Sequence, residues 1–148
     1  MAGPGMDQDK RAISGTWGEL WLDGNKVGEC YGFSAKYAVN KEDIQMCGVM
    51  QIGKKIKNYT GTGSLKLWKT NSRMASLLAD NLRNGRDPKF TIVSKLDDKD
   101  AYSAERVTVF GVSFDELILA DWEAGVIAKT EHPFTFEDFK YLDLIGVQ

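Results

Sequence analysis

Catalysis and metal binding need nucleophiles, bases or ligands at workable spacings, and this sequence supplies few. It has one histidine, His132, and two cysteines, Cys30 and Cys47. No Cys-x-x-Cys or His-Glu-x-x-His spacing occurs, so the usual zinc patterns are missing. A serine or cysteine nucleophile would have to use His132. That residue directly precedes Pro133 in an alternating segment, which suits extended backbone. Acidic pairs stand at Asp97/Asp98, Asp121/Glu123 and Glu137/Asp138. Such pairs can do acid–base work, but these have no accompanying histidine, lysine or pocket pattern, so a surface charge role is expected. Gly61-Thr62-Gly63-Ser64 is like a piece of a phosphate-binding turn. However, Lys66 stands where the dinucleotide fingerprint needs glycine, and a strand pattern follows instead of a helix. The expected role of these glycines is to thin a strand where another backbone comes close. Lys54, Lys55 and Lys57 form a basic cluster without the interleaved aromatics that stack on nucleic acid bases. It reads as a solvated loop end or as a charged contact to another subunit. Asn58-Tyr59-Thr60 matches a glycosylation sequon, but no routing segment accompanies it. No catalytic residue, metal or cofactor is expected, and the chain is read as a non-enzyme.

Composition agrees. The 148 residues amount to one domain, with 43% apolar and 27% charged residues and a net charge of −2. A surface that grips nucleic acid is normally basic. No run of about 18 apolar residues is present to predict a membrane helix. Residues 1–15 are rich in glycine and charge and read as an N-terminal arm ahead of a domain at 16–148. Without an apolar leader in this arm, both cysteines are expected as free thiols in a reducing compartment.

The elements that must position these residues are mostly strands. Residues 16–22 alternate, and Asp23-Gly24 then marks a tight turn. Residues 27–39 alternate for longer, with large side chains such as Tyr31, Phe33 and Tyr37 on one face and small ones such as Gly32 and Ser34 on the other. Residues 40–58 break the pattern and read as a long hairpin excursion or loop around Ile44, Met46, Val49, Met50 and Ile52. A strand resumes over 59–69. The period then changes to a helix at 72–84, with Met74, Leu77, Leu78 and Leu82 on one stripe, Asn71 or Ser72 as cap and Gly85 as stop. Strands are predicted at 89–96, 103–114, 116–123 and 126–139, with a charged loop at 97–102. The fold class is mainly β: a sandwich or barrel with one packed α-helix. Such strands can close within one chain around a small ligand or pair edge to edge with copies of the chain.

Several ordered blocks carry a family resemblance. TWGELWLDGNKV, GTGSLKLWKTNSRM, GRDPKFTIVSKLDD, ERVTVFGVSFDEL and HPFTFEDF resemble the tail tube proteins of contractile-tailed bacteriophages and of phage-like bacteriocins of Gram-positive bacteria. The similarity runs from about residue 13 to residue 143. It rests most on Gly85, Asp87, Pro88 and Phe90 and on residues 133–139. The resemblance implies a tail-tube fold in which hexameric rings form a continuous inner barrel, four strands coming from each subunit. Stacked rings then form a tube inside a contractile sheath, with baseplate and tape-measure proteins as further partners. The lumen passes DNA without specific binding in a phage, or the tube is driven through a target envelope in a bacteriocin. The particle is assembled in the bacterial cytoplasm, and the protein resides in a virion tail or bacteriocin particle.

By the same resemblance, residues 40–58 match the family's extended loop. Ile44, Met46, Val49, Met50 and Ile52 would then supply apolar interface, and Lys54, Lys55 and Lys57 would meet acids across the joint. The candidate lumen face is Ser34, Lys36, Thr60, Thr62, Ser64 and Lys66. The candidate sheath-facing helix carries Arg73, Asp80 and Arg83. The alternatives are the tube protein of a bacterial contractile secretion system and a monomeric small-ligand-binding barrel.

Overall fold

The computed structural model describes residues 14–97 and 104–145. Most of the expected N-terminal arm and of the charged loop at 97–102 therefore lies outside the described residues. After a short 3-10 turn at Gly15–Trp17 comes β1 (Gly18–Leu22), then β2 (Asn25–Lys26). Asp23 and Gly24 both adopt positive φ, 50° and 83°, the conformation a two-residue hairpin turn requires.

β3 (Cys30–Ile44) and β4 (Gly53–Trp68) form a long antiparallel ribbon. The excursion at 40–58 is thus a hairpin, and the strands run far into it: only residues 45–52 lie outside them. Alternation fails to announce this part because both faces of the outer ribbon are exposed, and a strand with no buried face needs no hydrophobic period. A register shift between Asn40 and Lys41 also changes the phase.

The helix α1 (Arg73–Arg83) buries Met74 and Leu78, while Leu82 at the end of the expected stripe is 63% exposed. At its start the Asn71 side chain accepts from the Arg73 N–H at 3.0 Å, and Ser72 makes no side-chain capping bond. At its end Gly85 has φ +69°, and the N–H groups of Gly85 and Arg86 donate to Leu82 and Asn81. This paired arrangement satisfies carbonyls that the last turn leaves open.

Then follow β5 (Phe90–Leu96), β6 (Glu105–Phe114), β7 (Lys129–Phe136) and β8 (Asp138–Asp143). All pairings are antiparallel, in the order β2-β1-β5-β6-β7-β4-β3, with β8 on β6. β6 joins the two halves. Most of its length lies between β5 and β8, while Ser113 and Phe114 pair with β7. Gly111, at φ +65°, turns the strand between these two pairings. The core draws Leu20, Ile92 and Val109 from one half, Leu65, Phe134 and Phe136 from the other, and Met74 and Leu78 from the helix.

Two expected strands differ. Residues 116–123 are not a strand: the segment between β6 and β7 has turns but no ladder. Leu117 packs against the core from this loop, and Gly125 adopts φ +80° within it. The strand expected at 126–139 begins at Lys129 and breaks at Glu137, whose N–H donates to the Phe110 carbonyl at 3.0 Å. The chain then enters β8.

Candidate functional site

The β3–β4–β7 sheet is two-faced. Cross-strand partners share a face, and the pairs Ser34↔Ser64, Lys36↔Thr62, Ala38↔Thr60 and Gly32↔Lys66 bring all six candidate lumen residues onto one side. β7 adds Thr135 opposite Thr62 and Glu131 opposite Lys66. The other side carries Phe33 and Leu65, with Phe33 stacked on Phe134 at 5.8 Å between ring centroids. Gly61 and Gly63 explain how the rings fit. A side chain at either position would run into Phe136 or Phe134, and at Gly63 also into the Ser34 carbonyl. At Gly63 the nearest obstacle is the backbone of the neighbouring strand, as the sequence suggests, with the Phe134 ring next to it; at Gly61 it is the Phe136 ring alone.

The hairpin tip gathers the expected interface residues, and each is uncovered. Ile44, Met46, Val49 and Ile52 are between 42% and 56% exposed, and Met50 is 98% exposed. Of the three lysines, Lys54 is already paired inside the hairpin, with Nζ 2.6 Å from Asp43 Oδ1. Lys55 and Lys57 are exposed and have no ion-pair partner among the described residues.

The helix candidates also divide. Asp80 and Arg83 are exposed, but Arg73 donates from Nε to Glu29 Oε1 at 3.0 Å, with only 26% and 9% of the two side chains exposed. Burial alone would raise the Glu29 pKa, but hydrogen bonds from its own backbone and from Arg73, together with the Arg73 charge, hold it below the usual value. Arg73 therefore ties the helix to the segment just before β3 through its Nε.

His132 is 3% exposed. Its Nε2 lies 2.9 Å from Thr130 Oγ1, and its Nδ1 has no hydrogen-bond partner among the described residues. Burial, and then the nearby charge of Lys69, push its pKa down, so the ring is held neutral. A cavity of about 20 Å³ reaches it past Glu29, Lys69 and Arg73, enough for one water. The blocks quoted above have structural roles here. Asp87 accepts from the Ser113 hydroxyl at 2.6 Å, Phe90 is buried, and Phe134 and Phe136 lie in the core.

Sequence reading missed two surfaces. One is an aromatic row at β8, where Tyr37 meets Tyr59, Phe136 and Phe139 at 4.8, 5.0 and 5.3 Å, and Phe139 meets Tyr141 at 5.6 Å. The other is the β6–β7 loop, where Leu119, Trp122 and Ile127 are 88%, 81% and 77% exposed. The clue lay in Asp121-Trp122-Glu123, a tryptophan held between two carboxylates with no alternation around it. β3 pairs only with β4, and β8 only with β6, so among the described residues both strands leave one edge unpaired.

The sequence profile of phage tail tube proteins matches residues 6–143. The phage-like element PBSX protein XkdM of Bacillus subtilis (strain 168) is 36% identical over 132 residues, covering 88% of this chain and 90% of that protein. Among solved structures, an extracellular contractile injection system, the PVC sheath-tube complex in the extended state, matches with a TM-score of 0.68 at 13% identity, covering 90% of this chain and 93% of that one. The tube-terminating cap of the anti-feeding prophage matches with a TM-score of 0.64 at 13% identity, over 90% and 92% of the two chains. Two open sheet edges, an uncovered hairpin and a profile match over nearly the whole length lead to one assignment: the chain belongs to the phage tail tube protein family and is a tail tube subunit.

Proposed function

We propose that copies of this chain close into hexameric rings, with the unpaired edges of their sheets joined between subunits, and that the rings stack into the inner tube of a contractile tail. The observation that carries this is the open sheet. β2 and β3 end the strand order without meeting each other, so the fold does not close on itself. A monomer left in this state exposes backbone groups that template aggregation, and ring closure removes them. It also disfavours a monomeric ligand-binding barrel, which needs closure within one chain.

In this reading the protein is structural and non-enzymatic. The face of Ser34, Lys36, Thr60, Thr62, Ser64 and Lys66 lines the lumen. Hydroxyls bind phosphate weakly, and Glu131 opposite Lys66 offsets one of the two lysines, so DNA can slide through. Asp80 and Arg83 on the helix face the sheath. Baseplate and tape-measure proteins complete the particle, which is assembled in the bacterial cytoplasm. Size-exclusion chromatography with negative-stain imaging tests this. Rings or tubes are expected, alone or on addition of the partner sheath. A monomer at every concentration under both conditions would overturn it.

A further inference from the structure

The two uncovered apolar features sit at opposite ends of one ribbon. The hairpin tip lies beyond the Ile44↔Gly53 pair. The β6–β7 loop lies beyond the Trp68↔Lys129 pair, where the Lys69 N–H donates to the Ala128 carbonyl at 3.0 Å. β4 spans the 16 residues between these ends, roughly 50 Å at about 3.3 Å per residue.

Their charges are opposite. Residues 115–128 carry Asp115, Glu116, Asp121 and Glu123 and no basic residue. Residues 40–58 carry four lysines against Glu42 and Asp43, and Lys55 and Lys57 have no ion-pair partner among the described residues, whereas Lys54 has bonded Asp43. The acidic loop also forms a groove of about 190 Å³ lined by Asp121, Trp122, Glu123, Val126 and Ile127, with Lys129 of β7 at its side as the single basic residue. That is below the ~300–1,000 Å³ of small-molecule sites, so a side chain from another protein surface suits it better than a free ligand.

We infer that the hairpin tip of one copy docks on the β6–β7 loop of the next, with Met50 and its apolar neighbours against Leu119, Trp122 and Ile127, and Lys55 and Lys57 against Asp121 and Glu123. The inference rests on the tube reading and names the two surfaces that join successive rings. A plug and its acceptor at opposite ends of one molecule make a heterologous contact. Directed along the strands, such a contact adds layers without limit, whereas edge pairing closes each ring. The apolar groups supply buried area, and the charges select the partner end and reject like ends.

Charge reversal tests the pairing with exposed residues only, so the folded chain is preserved. Variant one carries Lys55→Glu and Lys57→Glu, which makes both features acidic. Variant two carries Asp121→Lys and Glu123→Lys, which leaves Asp115 and Glu116 in place but makes both positions beside Trp122 basic, like Lys55 and Lys57 on the hairpin. Each alone is expected to sediment as tubes about tenfold less than the parent chain, because like charges then face each other. Mixed one to one, each variant's hairpin meets an oppositely charged loop on the other, and tube formation returns. All four substitutions on one chain restore it as well. If either variant alone forms tubes as the parent does, or if folded variants fail alone and remain failed when mixed, the inference is overturned. A parent chain that assembles neither alone nor on its sheath would instead overturn the tube reading itself, so the two failures are distinguishable.

Discussion

Gly63 shows how much one residue can decide in a thin sheet. Its position admits no side chain, because Phe134 and the Ser34 carbonyl occupy the space. Gly63→Ala is therefore expected to lower stability by about 1–3 kcal/mol through overpacking, read as a shift of the urea midpoint at unchanged slope. An unchanged midpoint would mean the ring moves aside freely. His132 gives a second prediction, in pH. Its folded pKa lies below the ordinary value of about 6.5. As pH falls through that value, the unfolded chain takes up a proton that the folded chain does not. Stability thus declines with falling pH, by at most about 1.4 kcal/mol per unit, until the folded ring also protonates. Glu29 and Asp87 are held below ordinary carboxylate values, so their loss comes lower, in the acid range. The urea midpoint between pH 7.5 and pH 5.5 should fall in the parent chain and fall less in a His132→Leu variant. Equal slopes would assign the effect elsewhere.

At the scale of elements, the β3–β4 hairpin and α1 contrast. The helix was legible because it has a buried stripe and chemical stops: Met74 and Leu78 pack inward, Asn71 opens it and Gly85 closes it. The outer hairpin has no buried face within the monomer, so no period marks where its strands end, and the sequence leaves hairpin and loop both open there. Its length nevertheless follows from register, since the pairing continues to Ile44↔Gly53. Apolar side chains gathered this way on an exposed element mark a surface for another protein. Met46→Asp with Met50→Asp should leave the thermal transition of the monomer nearly unchanged, because both side chains already face solvent. In the assembly the same change buries unpaired charge, and tube yield should fall to background in a sedimentation assay. Normal tubes from this variant would exclude the tip from the contact. Residues 116–123 of the β6–β7 loop carry a strand signal because the short apolar run Leu117-Ile118-Leu119 also fits a buried strand. Only the path of the chain shows that Leu117 points to the core while Leu119 does not.

At the scale of the whole molecule, twenty-one large apolar side chains among the described residues are exposed, against thirteen in the core. A monomeric fold rarely leaves so much uncovered. The exposed groups cluster at the hairpin tip, β8 and the β6–β7 loop, which are also the places where the sheet ends or the chain reverses. These are the surfaces a tail tube subunit has to offer its neighbours. The sequence by itself determined the strand-rich class, the single helix with its caps, the two-faced character of β3 and β4, and the motif blocks that carry the family. These are local properties, set by alternation, turn residues and spacing. Tertiary structure alone decided that Arg73 is bound to Glu29, that Lys54 is bound to Asp43, and that the acidic loop and the basic tip stand at opposite ends of one ribbon. These relations join residues through register and chain path, and no local pattern encodes the distance between two ends of a sheet.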